Sequence, residues 1–316
     1  MTGLPKSTVS VNEEEFALAS EFANSVYWEE GCEDLFAENI ILDMPFAPPG
    51  MWQHLSPAEV GKHFEWLRRT VKNWTWDAPA KVFATDHEHI YWVFRDGGGD
   101  THWAGRDGKF HSRMPALLRI ENGKIAYVKE HFDMAAFYDA IGVELPRFKY
   151  DAPDPAGFEP RPAAPVIDHT PESMARQVEA TLNFFINPSY WDPEVNCVLA
   201  DDFVHELADA PADMPRVFRG TEYDSINAWL GEHMGECELF DLQFYHTQDE
   251  HVYIAEFTCS VHVTWGGCSD GHYSNREISY IELNDAGLCS RLDEYFHTMS
   301  KFNSIGVSIP SFPYLF

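Results

Sequence analysis

The run EHFDMAAFYDAIGVELP, residues 130–146, aligns without a gap on EYFHTMSKFNSIGVSIP, residues 294–310, with 6 identities in 17. A second pair, TDHEHIY (85–91) and TQDEHVY (247–253), agrees at four of seven positions, and the two offsets of 164 and 162 residues drift by only two. The chain of 316 residues is therefore read as one unit of roughly 150 residues written twice. DAPDPAGFEPRPAAPVIDHT (151–170) holds five prolines and few large apolar side chains, so it neither continues a helix nor pairs as a central strand. This places one domain at 1–150, a Pro-rich linker at 151–170 and a second domain at 171–316.

Each copy reads in the same order: an opening helix, a short strand, a second helix, a run of strands rich in Trp, Tyr, Phe and Val, and a short closing helix. The first helix opens at Asn12-x-x-Glu15 before Phe16, Ala19, Phe22 and Val26. The second opens at Ser56-Pro57-Ala58-Glu59, a capping box with proline at the first helical position. Its counterpart starts at Thr221-x-x-Asp224. Strand signals run through KVFATDHEHIYWVFRD (81–96) and RMPALLRIENGKIAYVKEHF (113–132), with counterparts around 242–262 and 276–296. Helices first and strands afterwards argue an α+β fold of two tandem cone-shaped domains, each a curved antiparallel sheet wrapped around helices.

Composition bounds the function. Forty-five per cent hydrophobic and 15% aromatic residues describe a folded chain, and 22 basic against 51 acidic residues give −29. That charge repels phosphate backbones and anionic lipid, so neither nucleic acid nor membrane is an expected partner. The acid is uneven, with 15 basic and 23 acidic residues in 1–150 against 7 and 28 in 151–316. Six scattered cysteines with no C-x-x-C pair and a start without signal character point to reduced thiols and a cytoplasmic setting.

Glu130 is the leading catalytic candidate. In KIAYVKEHF the period of two puts Ala126, Val128, Glu130 and Phe132 on one face, so a carboxylate lies among apolar groups; Leu292, Glu294 and Phe296 repeat this. Desolvation raises the proton affinity of such an acid toward neutrality, as a general acid or base needs. The structural alternative is a glutamate hydrogen-bonded to a backbone turn or paired with an arginine such as Arg113 or Arg276. His63 falls about 60° from Val60 beside the stripe Val60, Phe64, Leu67 and Val71, so it leans toward the sheet and supplies a second proton carrier. In the second copy Asn227 takes its place and His233 is the nearby imidazole. Trp66, Trp76, Tyr91 and Phe110, with Asn227, Trp229 and Tyr273 in the second copy, are expected to wall a pocket for a flat substrate. No metal site is expected from His87-Glu88-His89, nor a phosphate cradle from Gly97-Gly98-Gly99.

The runs WTWDAPAKVFATDHEHIYWVFRDGGG (74–99), GKFHSR (108–113), ENGKIAYVKEHF (121–132) and AIGVELP (140–146) resemble the phenazine-biosynthesis A/B proteins of the SnoaL-like, nuclear-transport-factor-2-like superfamily. The likeness covers most of 15–150 and, more faintly, 175–312. It implies a cone-shaped α+β fold and a cofactor-free enzyme that condenses two small amino-ketone carboxylates through an imine. It also implies a strand glutamate and a helix histidine as acid and base, which fall on Glu130 and His63; Glu294 is the glutamate of the second copy. A family serine one turn after the histidine is replaced by Leu67 and Gly231, a departure that bears on substrate. Single-domain members pair, which implies an internal pseudo-dimer here and leaves a further homodimer open. The function expected is a cofactor-independent acid/base enzyme of secondary metabolism that condenses and dehydrates, cyclises or isomerises a small polar or aromatic molecule. The alternatives are a non-catalytic small-molecule binding module and a pericyclic-type cyclase acting through pocket shape.

Overall fold

The computed structural model describes residues 4–159, 163, 170–185, 198–211 and 213–314. Most of the second half of the expected linker, and Cys197, lie outside the described residues. Two compact units divide the chain: Thr8–Leu145 with Ile309–Phe316, and Met1–Ser7 with Pro146–Ser308. The division departs from cuts at 150 and 171, because the C-terminal tail joins the first half and the stretch after Leu145 joins the second.

The first copy comprises α1 (Glu13–Asn24), β1 (Phe36–Asp43), β2 (His54–Leu55), α2 (Pro57–Thr70), β3 (Val71–Trp76), β4 (Lys81–Ala84), β5 (Ile90–Phe94), β6 (Asp96–Trp103), β7 (Arg106–Arg113), β8 (Ala116–Glu121), β9 (Lys124–Glu130) and α3 (Met134–Ala140). The second comprises α4 (Pro171–Phe185), β10 (Leu199–Leu207), β11 (Val217–Arg219), α5 (Thr221–His233), β12 (Glu238–His246), β13 (Val252–Val263), β14 (Gly271–Leu283), β15 (Cys289–Phe296) and α6 (Thr298–Ser304). Each builds a six-stranded sheet, in the orders β2-β1-β9-β8-β5-β4 and β11-β10-β15-β14-β13-β12. The expected antiparallel sheet is thus mixed: β1 runs parallel to β9, and β10 to β15. Hairpin signals reveal only antiparallel neighbours, whereas the first and last strands of a copy meet across a long connection that leaves direction free. None of the described helices is long and apolar enough to cross a membrane.

The copies differ in one respect that shapes the site. β13 and β14 pair as an unbroken hairpin of 12 and 13 residues, while the first copy interrupts the same hairpin at Arg95 and at Met114-Pro115. Proline lacks the N–H a central ladder needs, so β6 and β7 leave the main sheet and join β3 as a separate three-stranded sheet. Gly97-Gly98-Gly99 lies within β6 as strand, not as a loop.

Local chemistry explains the boundaries. Asn12 Oδ1 accepts from the Glu14 and Glu15 N–H groups at the start of α1, and the Glu59 carboxylate accepts from Ser56 N and Oγ at 2.8 and 2.6 Å. The Thr221-x-x-Asp224 cap does not form. Gly220 is the N-cap residue of α5, one residue earlier than the pattern suggested, and Glu222 accepts from Arg219 N at 3.1 Å. Thr85 and Thr247, which open the second repeat motif, each clasp a hairpin turn, donating to the carbonyls of Ile90 and Val252.

The end of each closing helix presses on a glycine. A Cβ on Gly108 would lie 2.0 Å from the Ala140 carbonyl oxygen, and one on Gly271 would lie 2.3 Å from that of Ser304. Gly61, inside α2, has nothing within 4 Å of a Cβ. Gly108→Ala is therefore expected to destabilise the chain by about 1–3 kcal/mol through overpacking, and Gly61→Ala to stabilise it by roughly 0.5–1 kcal/mol through helix propensity. Urea melts of the two variants check both signs.

Candidate active site

In the first unit β9, α2 and the aromatic face of the sheet enclose a hollow of about 420 Å³, counting its mouth. Glu130, His63, Trp66, Leu67 and Phe110 line it. Glu130 is 2% exposed, and both carboxylate oxygens are engaged: Tyr27 donates to Oε2 at 2.6 Å, and the buried Arg95 guanidinium pairs with Oε1. Arg95 also lies over the rings of Phe22, Tyr27 and Trp76, at 4.5, 5.1 and 4.7 Å from their centroids. The structural alternative foreseen for Glu130, an arginine pair, is realised by Arg95 rather than by Arg113. His63 shares the hollow without touching Glu130. Its Nδ1 lies 2.6 Å from the hydroxyl of Tyr314, and burial pushes its pKa down to about 3, so the ring is neutral at pH 7.

The second unit holds a larger hollow of about 650 Å³, again counting its mouth, lined by His205, Glu277, Glu294, Lys301, Tyr273, Trp265 and the paired thiols Cys237 and Cys259, among others. His205 Nε2 is 2.8 Å from Glu294 Oε2, and both residues are buried. On the neighbouring strand Asn275 donates to the Tyr273 hydroxyl at 2.6 Å, which donates to Glu277 Oε1 at 3.0 Å. Desolvation, and then the Glu294 charge, raise the Glu277 pKa to about 7. Lys301, on α6, is lowered to about 8 by desolvation, against the pull of Glu277 and Glu294. With His205, Glu277, Glu294 and Lys301 on its wall, the second hollow holds more titratable side chains than the first.

Residues 24–154 match the family model described as phenazine biosynthesis protein A/B. The phenazine biosynthesis protein PhzA of Pseudomonas fluorescens is 29% identical over 85 residues, which are 27% of this chain and 52% of that protein, so the chain spans about half the length of this relative. A solved phenazine-biosynthesis-related protein from Pseudomonas aeruginosa overlays with a TM-score of 0.38 at 15% identity, over 43% of this chain and 92% of its own. A nuclear-transport-factor-2-like protein from Burkholderia xenovorans overlays at 0.34 and 16% identity, over 41% and 97%. The first copy is phenazine-biosynthesis-A/B-like.

The expected wall residues divide. Trp66 and Phe110 line the first hollow and Tyr273 the second, whereas Trp76 backs the Arg95 guanidinium and Tyr91 donates to Glu15 at the far end of the sheet. Trp229 stacks on Trp265 at 5.8 Å and 10°, as Trp66 does on Trp103 at 5.6 Å and 10°. These twin stacks, and helix ends at Thr70 and His233, set an offset of 163 across the second helix. The counterpart of His63 is therefore Ile226, and Asn227 corresponds to Phe64. The earlier match assumed the offset of the closing segment. Asn227 is buried with no hydrogen-bond partner for its amide among the described residues, and it does not line the hollow. His233 bonds Thr264 at the exposed end of α5. His89 pairs with Glu15, and among the described residues no group of three or more His, Cys, Asp and Glu is arranged to hold a metal.

Arg95, Tyr27, Tyr314, His205, Glu277 and Lys301 escaped the sequence reading. Two carried a signal: Arg95 continues the inward alternation of Tyr91 and Val93, and Lys301 stands opposite Phe137 in the aligned repeat.

His63 yields a pH test. Its folded pKa, near 3, lies below the ordinary 6.5, so the unfolded chain takes up a proton that the native state refuses. Its contribution is complete above about pH 6.5 and declines as pH falls toward 3, by at most about 1.4 kcal/mol per pH unit. Urea denaturation at pH 6.5, 5.5 and 4.5 should show this decline for the first unit, with a shallower slope in His63→Gln.

Proposed function

We propose that the chain is an acid/base enzyme of secondary metabolism that uses its own side chains to condense and dehydrate, cyclise or isomerise a small polar or aromatic molecule, and that the second hollow carries the chemistry. The observation that supports this most directly is His205 Nε2 at 2.8 Å from Glu294 Oε2 inside an aromatic hollow. Imidazole and carboxylate can exchange a proton with each other and with a substrate there. The resemblance favours Glu130 and His63 instead. Against them, both oxygens of Glu130 are already engaged and the His63 ring is a weak base. The first hollow is then a second, more apolar chamber.

The base can be tested with 5-nitrobenzisoxazole, a flat probe that opens to a coloured phenolate when a carboxylate or imidazole removes its ring proton. The wild-type chain should accelerate this opening beyond free acetate. Glu294→Gln should lower the rate by about 10²-fold, while Glu130→Gln leaves it within a small factor. Loss confined to Glu130→Gln would move the chemistry to the first hollow. Acceleration untouched by either change would favour a pocket acting by shape.

A further inference from the structure

Lys301 has no role in the acid/base reading, yet it lies in the same hollow. It is 6% exposed, and its Nζ makes no hydrogen bond or ion pair among the described residues. Instead Nζ faces rings: 4.6 Å from the centroid of Trp265, 4.8 Å from Phe296, 5.2 Å from Tyr273 and 5.8 Å from Phe148. In the first copy the matching slot holds a phenyl ring. Phe137 lies at 5.1, 4.9, 4.6 and 5.3 Å from Trp103, Phe132, Phe110 and Phe312, the counterparts of those four rings. The second copy thus has an amine where aromatic packing alone is satisfied by phenylalanine. Trp265 Nε1 donates to Ser304 Oγ at 2.9 Å, and Ser304 Oγ donates to the Lys301 carbonyl at 2.7 Å, which fixes the helix that carries the amine.

A desolvated lysine in an aromatic pocket with carboxylic acids at hand is the equipment for imine chemistry with a carbonyl group. We propose that Lys301 is a nucleophile that binds a small aldehyde or ketone, aryl or alkyl, as a Schiff base in the second hollow. This rests on the acid/base reading of that hollow and names its substrate class as a carbonyl compound. The Nζ lone pair adds to the carbonyl carbon, and the C=O π pair moves to oxygen, which takes a proton from Glu277. The nitrogen gives up a proton to the Glu294–His205 pair. That proton returns to the hydroxyl as it leaves as water, while the nitrogen pair forms C=N. The product at this point is the protonated imine, and its N–H proton passes back to the Glu277 carboxylate; the balance is then amine plus carbonyl to imine plus water, with no oxidant or reductant. The titratable groups facing the amine are Glu277 and Tyr273 on β14, Glu294 on β15, His205 on β10, Cys259 on β13 and Cys237 just before β12.

Benzaldehyde with sodium cyanoborohydride tests this on the full chain, with peptide mapping of the benzylated lysines. At pH 7.5 Lys301 should carry about two hundredfold more free amine than a lysine of ordinary pKa, and it should be labelled first. Its labelling rate should peak between about pH 7 and 8, where Glu277 still holds a proton and the amine begins to lose one. Glu277→Gln should slow the labelling, and Lys301→Arg, which keeps the charge, should abolish the early label. Label spread over surface lysines with Lys301 unmodified would overturn the proposal, as would a Lys301 rate equal to that of exposed lysines. Neither result touches the 5-nitrobenzisoxazole rate, so the acid/base reading stands or falls separately.

Discussion

A buried cation ringed by aromatic side chains and set near a strand glutamate organises each half of this chain. A lone charge taken from water costs several kcal/mol unless it is compensated. Both halves set ring faces around it, with Glu130 pairing the charge in the first, and they hold the cation in different places. The first copy carries Arg95 on the sheet and Phe137 on the closing helix; the second carries Phe257 and Lys301 at the same two positions. Moving the cation from the break between β5 and β6 to the closing helix changes what the glutamate can do. Arg95 reaches Glu130 and occupies it, whereas Lys301 stays out of contact with Glu294 and leaves it to His205.

The interruption of the first sheet belongs to the same contrast. Arg95 sits in the gap between β5 and β6, opposite Met114, whose N–H donates to its carbonyl at 2.7 Å. Released from a continuous strand, the arginine side chain turns under α1, donating to the Phe22 carbonyl, and toward the end of β9, where Glu130 waits. In the unbroken second hairpin Phe257 pairs with Glu277, which has the inward course of Met114 and adds an acid the first hollow lacks.

The repeat, the α+β order, the burial of Glu130 and Glu294 and the inward turn of His63 were legible in the chain because they follow from periodicity and from an alignment anchored by identities. The partners of those residues were not. Arg95, Tyr27 and His205 come to the glutamates from other strands and loops, and no spacing along one segment announces which distant side chain will meet a carboxylate. The Asn227 match went astray because a small drift in offset slides a helix alignment by one residue, enough to exchange a hollow-facing position for its neighbour. His205 was invisible for a related reason: its equivalent is Leu42, on the first strand, so the imidazole changed element between the copies.

The segments that follow each closing helix repeat as well, PRFKY (146–150) against PSFPY (310–314). Phe148 and Tyr150 pack against Trp229 in the second unit, while Phe312 and Tyr314 pack against Trp103 and Trp66 in the first. Each half is therefore packed by the segment that follows its sibling's closing helix. A recombination event that kept one copy and lost the other would discard these packing rings along with the twin, which favours inheritance of the two halves together.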